Sequence, residues 1–163
     1  MFAADALLGN FDRHNGNWGV IVNENTMEVR MAPVYDNGSC LYPQLTDEQM
    51  KAIMKDPKEI ENRIYVFPNS ALKEQDRKIN YFSFLSTTKN KDCIEALRYV
   101  QQHYNEEKIK NILAKAPISN VKKEFYLLII KERKNKIIDK ALELQIERKK
   151  AEKTVVKKKI RNL

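Results

Sequence analysis

The spacing of apolar residues predicts a chain made mostly of helices. From Thr46 onward, apolar side chains recur every three to four residues, which is the period of a helix with one buried face. The last and longest of these segments loses its apolar spacing between residues 131 and 136, which predicts a bend or a break there. Each helical segment follows a residue that can cap a helix: Thr46, Asp56, Asn90, Asn105 and Ser119.

The first forty residues follow a different pattern. Met1 to Leu8 is a short apolar segment that stops at Gly9, which predicts a helix ended by a left-handed glycine. Residues 18–34 hold two β-rich runs on either side of a polar turn, which predicts a β-hairpin, and we expect Trp18 and Tyr35 to face the core. The predicted fold class is therefore mainly α with a small β-hairpin, an α+β arrangement.

Composition and charge divide the chain into two parts. Its 163 residues, 42% of them hydrophobic and 32% charged, are enough for a buried core. The formal net charge is +8, yet residues 118–163 alone carry +9. Beyond residue 148 the apolar residues become sparse, which predicts a domain over 1–148 and a basic, frayed tail over 149–163. A nucleic acid or another acidic surface would bind this tail.

Neither a membrane span nor a secretory signal is evident. The longest apolar run covers residues 125–130, far short of the roughly 20 residues that cross a bilayer. The first residues contain Asp5 and no basic region, unlike a signal peptide. Cys40 and Cys93 lie far apart in the sequence without histidines nearby, which argues against a zinc site. Two such cysteines are consistent with reduced thiols in the cytoplasm. We therefore expect a cytoplasmic protein without a transmembrane segment.

Two polar motifs flank the predicted hairpin. Asp12-Arg13-His14-Asn15-Gly16-Asn17 precedes it and Tyr35-Asp36-Asn37-Gly38 follows it. Phosphoryl transfer needs a carboxylate near the attacking hydroxyl and hard oxygen ligands for magnesium. Asp12 can accept the hydroxyl proton, while Asn17 can turn back to bind the metal. Asp36, at the end of the return strand, can reach the same ion.

The motifs resemble those of a known family. Residues 8–19 and 32–39 look like the HipA-like serine/threonine kinases, which share an Asp-Arg-His-x-x-Asn catalytic loop with phosphatidylinositol 3- and 4-kinases. The resemblance implies a protein-kinase-like C-terminal lobe with a catalytic loop at 9–17, the hairpin at 18–34, a metal loop at 35–39 and a helical remainder at 46–148. It also implies that Asp12 is the catalytic base, that Asn17 and Asp36 bind Mg²⁺, that ATP is the cofactor, and that a protein is the substrate.

Three further residues of the catalytic loop can support these roles. Arg13 can contact phosphate, or it can pair with a carboxylate such as Asp36 or Asp5. His14 can also contact phosphate, but a histidine that ties the loop backbone together is the favoured interpretation. Asn10 is expected to satisfy the backbone of a turn.

Two of the motifs that a kinase needs are absent from the sequence. A kinase also needs a glycine-rich loop over the phosphates and a strand lysine, and both precede the catalytic loop. The eleven residues before Asp12 cannot encode them, and the chain's 4 glycines form no Gly-x-Gly-x-x-Gly motif. We therefore expect a C-terminal lobe that works with a missing N-terminal lobe or a partner subunit and transfers little phosphate alone.

Two other functions remain open at this stage. The chain could be a non-catalytic interaction module whose basic C-terminal helix binds an acidic partner or nucleic acid. It could also be the lobe of a lipid or small-molecule kinase, which the Asp-Arg-His order allows. Mg²⁺-dependent nucleotide binding favours a kinase lobe. Salt-sensitive nucleic-acid binding that does not depend on Asp12 or Asn17 favours the interaction module.

Overall fold

The computed structural model describes the backbone of residues 1–161 and the side chains of residues 1–152 and 154. This part of the chain is mostly helical, with two small antiparallel hairpins, and the predicted fold class is confirmed. The helices are α1 (Phe2–Leu8), α2 (Asp47–Lys55), α3 (Pro57–Glu61), α4 (Tyr81–Thr87), α5 (Lys91–His103), α6 (Glu106–Lys115), α7 (Asn120–Arg133) and α8 (Lys140–Arg161). A first π-helical segment (Asn62–Val66) follows α3, and a second (Lys134–Asp139) joins α7 to α8.

The predicted hairpin forms from two three-residue strands. Strand β1 (Val20–Val22) pairs antiparallel with β2 (Val29–Met31), and Val20 lies opposite Met31. Every residue of both strands is exposed in the described structure. Neither face of this hairpin is therefore covered by the helices.

A second hairpin was not predicted. Strand β3 (Lys73–Glu74) pairs with β4 (Arg77–Lys78) through Gln75 and Asp76, whose φ angles are 49° and 61°. Two positive φ angles are the mark of a type I′ turn, which usually carries Asn-Gly. The sequence here lacks that signal.

Side-chain caps begin the helices as predicted. Thr46 accepts a hydrogen bond from the Gln49 amide and donates its own amide to the Gln49 side chain, completing a capping box. The sequence Asp56-Pro57-Lys58-Glu59 predicts a second capping box at α3. Asp56 accepts from the Lys58 and Glu59 amides, but the Glu59 carboxylate accepts from Asn62, so only half of this box forms. The remaining predicted caps also accept from helix amides: Asn90, Asn105 and Ser119.

The core lies between α1, the first helix, and the helices that follow the hairpin. Its fully buried members include Ala6, Tyr42, Met50, Leu85, Leu97, Phe125, Ile129, Ile137, Ile138 and Ala141. Hydrophobic periodicity predicts a buried stripe of Ile109, Ile112 and Leu113 in α6, but this helix contributes no fully buried side chain and Ile112 is 68% exposed. The same prediction was wrong for Ile146 of α8. Both helices lie at the edge of the described structure.

The bend or break predicted at residues 131–136 overlaps only in part with the second π-helical segment, which begins at Lys134, and the helix is not broken there. A π turn adds one residue to a helical turn and changes which side chains face inward. Here it buries two adjacent residues, Ile137 and Ile138, both 0% exposed. The helix therefore passes from α7 to α8 without a loop.

Helix α8 continues beyond the predicted domain boundary at residue 148. The backbone is helical to Arg161, so no helix end separates residues 1–148 from the tail, and this division stays a prediction. Residues 162 and 163 of the predicted tail lie outside the described residues. Within the described part of the chain, no helix is both long enough and apolar enough to cross a membrane.

Gly9 ends α1 in the left-handed conformation that the sequence predicted, with φ 65° and ψ 45°. A β-carbon at this position would lie 3.1 Å from Pro68 Cγ. We expect Gly9→Ala to lower the free energy of unfolding by about 1–3 kcal/mol, measured by urea denaturation, because both the backbone and the neighbour resist a side chain. Gly19→Ala is the matched control, since its β-carbon would meet only the Tyr35 hydroxyl at 3.8 Å. Equal losses for the two variants would contradict this explanation.

Candidate active site

Asn10 fixes the start of the catalytic loop. Its side chain is fully buried, donates to Asp5 Oδ1 at 3.1 Å and accepts from the Asp12 amide at 3.0 Å. The Tyr81 hydroxyl donates to the Asn10 carbonyl oxygen. Asn10 therefore supports the turn backbone, as the sequence indicated, and holds the peptide that precedes Asp12.

Asp12 combines a fixed backbone with a free carboxylate. Its amide donates to Asn10 Oδ1 and its carbonyl oxygen accepts from Asn17 Nδ2 at 2.9 Å. The side chain is exposed, and the carboxylate has no hydrogen-bond donor among the described residues. A general base needs this freedom, because its carboxylate must receive the substrate's proton.

Asn17 is held so that its side-chain oxygen stays unused. The residue is 4% exposed and lies at the end of a short 3₁₀ turn, Asn15–Asn17. Because Nδ2 donates to the Asp12 carbonyl oxygen, Oδ1 is the atom left for a further ligand. The His14 ring stabilises the same turn by accepting a hydrogen bond from the Gly16 amide at 3.0 Å. This is the loop-tying contact favoured for His14.

Asp36 lies just beyond the hairpin in a left-handed conformation. Its φ angle is 55°, which aspartate tolerates better than most residues, and its side chain is exposed. Both of its neighbours accept hydrogen bonds from Arg13 of the catalytic loop, Tyr35 through its carbonyl oxygen and Asn37 through Oδ1. The backbone is therefore anchored on either side of Asp36.

Arg13 joins the catalytic loop to the metal loop. Its guanidinium forms an ion pair with Asp5 at 3.0 Å, and the two side chains are 5% and 4% exposed. Nη1 donates to the carbonyl oxygens of Asn17 at 2.9 Å and Tyr35 at 2.5 Å, while Nη2 donates to Asn37 Oδ1 at 2.7 Å. The hydrogen bond with Asp5 raises the pKa of Arg13 above its usual value. Of the two carboxylates considered for Arg13, the structure selects Asp5.

The donor atoms that remain free suit magnesium. Asn17 Oδ1 and the Asp36 carboxylate are hard oxygen ligands, and both are left without a hydrogen-bond donor among the described residues. The described residues contain no group of three or more histidine, cysteine or acidic side chains that could hold a metal ion. Magnesium is commonly bound by one or two protein ligands together with phosphate oxygens and water. Both oxygen donors are therefore of the chemical kind that a metal ion arriving with a nucleotide accepts.

The hairpin presents an apolar face that the rest of the structure leaves open. Residues paired across antiparallel strands share a face, so Val20, Val22, Val29 and Met31 form one surface, which we call the hairpin face. All four side chains are between 45% and 59% exposed.

Two predictions about the core were wrong at this hairpin. Trp18 and Tyr35 are each 44% exposed, although both were expected to face inward. The Tyr35 hydroxyl instead donates to the Gly16 carbonyl oxygen at 3.1 Å. Both residues flank a hairpin that no helix covers, so their apolar surface remains accessible.

Cys40 directly follows the metal loop, and the burial of its thiol gives a pH-dependent prediction. Its amide donates to the Asn37 carbonyl oxygen, and burial raises the pKa of its thiol from 9.0 to about 11. The thiolate therefore forms at higher pH in the folded chain, and at pH 8 its fraction is about 100-fold below that of an unperturbed thiol. We expect iodoacetamide alkylation of a Cys93→Ser variant to rise with a midpoint near pH 11 when folded and near pH 9 in urea. A midpoint near 9 for the folded chain would contradict the burial of Cys40.

Comparisons with known proteins define the class. The chain is 46% identical over 157 residues to the serine/threonine-protein kinase CtkA of Helicobacter pylori strain J99, and the match includes 93% of this chain. It also matches the crystal structure of a Helicobacter pylori proinflammatory kinase CtkA with a TM-score of 0.85 and 48% identity over 90% of this chain. No family model matches the chain. The fold is that of a kinase-like lobe.

The particular family follows from the same matches. The chain is related to the HipA-like serine/threonine kinases, as its two motifs indicated. It spans about half the length of these relatives, 48% of the curated protein and 54% of the crystallised chain. This partial coverage fits a C-terminal lobe.

Proposed function

We propose that this chain is the catalytic and Mg²⁺-binding lobe of a kinase that transfers the γ-phosphoryl group of ATP to a serine or threonine hydroxyl of a protein. The observation that carries the proposal is the arrangement of Asp12, Asn17 and Asp36 on two loops that Arg13 joins. The matched relative is a serine/threonine-protein kinase, which supports a protein as the acceptor over a lipid or small molecule.

Each residue has a distinct part in this reaction. Asp12 accepts the proton of the attacking hydroxyl and orients that hydroxyl, because its carboxylate is exposed and has no hydrogen-bond donor among the described residues. Asn17 and Asp36 would hold Mg²⁺, which when bound neutralises charge on the phosphate oxygens. Arg13 is committed to four acceptor groups, so it stabilises the two loops and leaves the phosphates to other residues.

A second lobe is also part of the proposal. The 163 residues include no glycine-rich phosphate loop, and the chain spans about half the length of its relatives. The hairpin face is apolar and exposed beside the metal loop, as expected of a surface that another lobe covers. An N-terminal lobe, on the same polypeptide or on a partner subunit, would supply the missing loop and lysine.

Phosphate transfer from radiolabelled Mg·ATP to a mixed protein substrate tests this function. The chain is assayed alone and after fusion to the part of the CtkA relative that it does not span. We expect transfer by the fused form, its loss in Asp12→Ala, and little or none from the chain alone. Strong autophosphorylation of the lone chain that Asp12→Ala abolishes would show that no second lobe is required.

A different outcome would favour the interaction module. Nucleic acid that binds the chain in a salt-sensitive way, unaffected by Asp12→Ala or Asn17→Ala, together with an inactive fused form, would overturn the kinase proposal. Transfer to lipid or small-molecule hydroxyls with none to protein would overturn the proposed acceptor.

A further inference from the structure

Arg133 is a fully buried cation that the active-site account has not used. It is the last residue of α7 and is 0% exposed. No carboxylate binds it among the described residues. Its Nε donates to the Ala6 carbonyl oxygen at 2.7 Å, and its Nη1 donates to those of Arg63 at 2.9 Å and Ile64 at 3.3 Å. A buried cation whose hydrogen bonds all go to backbone oxygens is unusual and calls for a physical reason.

The accepting carbonyls belong to the ends of two helical segments. Ala6 lies in the last turn of α1, and Arg63 and Ile64 lie in the first π-helical segment, which ends at Val66. The last carbonyl groups of a helix lack donors within the helix and carry the negative end of its dipole. Arg133 therefore places one positive charge against two helix ends, and these take the place of a carboxylate.

One of these helix ends leads into the catalytic loop, and the other leads into two residues that pack against that loop. Helix α1 continues into Gly9, and the first π-helical segment continues into Phe67 and Pro68. A β-carbon on Gly9 would lie 3.1 Å from Pro68 Cγ and 3.5 Å from the Arg133 guanidinium carbon. The Phe67 ring packs on Phe11, with 5.6 Å between centroids. The turn at Gly9 is thus enclosed between Pro68 and Arg133.

A tyrosine adds a second connection between Arg133 and the loop. The guanidinium carbon lies 5.8 Å from the centre of the Tyr81 ring, and the Tyr81 hydroxyl donates to the Asn10 carbonyl oxygen. Arg133 Nη2 is buried and has no hydrogen-bond acceptor among the described residues, so the aromatic ring is a further source of stabilisation for this cation.

We propose that Arg133 is a positioning residue for the catalytic loop. It ties the end of α1 to the end of the first π-helical segment, and so holds the Gly9 turn from which Asp12 is presented. The role assigned to Asp12 rests on the proposed function, whereas the placement of the loop by Arg133 does not.

Amide NMR of the whole chain tests this with Arg133→Lys and Arg133→Met. We expect both variants to shift the signals of residues 9–17 and leave those of Leu97 and Phe125 in place. Exchange of the Asn10 amide should become at least about tenfold faster in Arg133→Met and less so in Arg133→Lys, which keeps the charge at the helix ends.

Arg148→Met is the matched control. Arg148 also donates to carbonyl oxygens at a helix end, those of Ser86 and Thr87 in α4, but that end does not lead to the catalytic loop. Its replacement should leave the signals of residues 9–17 unchanged. Unchanged loop signals in both Arg133 variants, or equal changes in Arg148→Met, would overturn the proposal.

A measurement on the unmodified chain decides the matter if the Arg133 variants do not fold. Hydrogen exchange of the Arg133 Nε–H and of the Asn10 amide should show the same dependence on low urea, because one opening event exposes both. Different urea dependences would overturn the positioning role. These readouts need neither metal nor nucleotide, so a fused two-lobe form that fails to bind Mg·ATP would refute the proposed function and leave this inference standing.

Discussion

Replacing Asp12 by asparagine in the fused two-lobe form is expected to lower the rate of phosphate transfer by about 10²- to 10⁴-fold. Asparagine has the same shape but cannot accept the proton of the attacking hydroxyl. The Asp12 carboxylate is exposed and makes no hydrogen bond to the described residues, so stability should stay within about 0.5 kcal/mol of the unmodified protein. Steady-state kinetics and urea denaturation of the same preparations measure both effects.

Asp92→Asn is the control for this experiment. Asp92 is an exposed aspartate in the first turn of α5, away from both motif loops, and its replacement should leave transfer unchanged. A loss of less than about tenfold for Asp12→Asn would mean that another group is the base.

Replacing Arg13 by methionine is expected to have the largest effect on stability, a loss of about 3–5 kcal/mol. Methionine fills a similar volume but leaves the Asp5 carboxylate, 4% exposed, without its cation. It also removes the bonds that hold Asn17, Tyr35 and Asn37 together. Urea denaturation followed by circular dichroism measures the loss.

Two variants separate the ion pair from a general effect of the substitution. Adding Asp5→Asn to Arg13→Met should recover part of the stability, because the uncompensated buried charge is gone. Lys110→Met, which removes exposed ion pairs with Glu106 and Glu107, should cost far less. If Arg13→Met and Lys110→Met lowered stability equally, the buried pair would not be what joins the loops.

Local signals predicted much of the fold. The hairpin, the Gly9 stop and the helix caps at Thr46, Asn90 and Ser119 each depend on a few neighbouring residues, and each is present in the structure. Hydrophobic periodicity was less reliable at the edges. It marks a side chain as apolar without saying whether another element covers it, which is why Trp18 and Tyr35 were assigned to the core.

The two motifs identified the candidate site, but the long-range contacts that hold its loops in place could not be predicted. The Tyr81 hydroxyl bonds a residue 71 positions away, and Arg133 reaches Ala6 across 127 positions. No short pattern marks such contacts, because they exist only once the helices have packed. Arg133 lies between two charged residues, Glu132 and Lys134, and nothing in this local sequence distinguishes it from a solvent-exposed basic residue.

Titration of the fused two-lobe form with Mn²⁺ in the presence of a non-hydrolysable ATP analogue, followed by amide NMR, tests the central claim most directly. Mn²⁺ accepts the same oxygen ligands as Mg²⁺ and broadens the signals of nearby nuclei. We predict that the signals of Asn17 and Asp36 broaden first and together, and that Asn17→Ala combined with Asp36→Ala removes this preference. Broadening elsewhere in the chain, or broadening at these loops that survives both replacements, would contradict a metal site formed by the catalytic and metal loops.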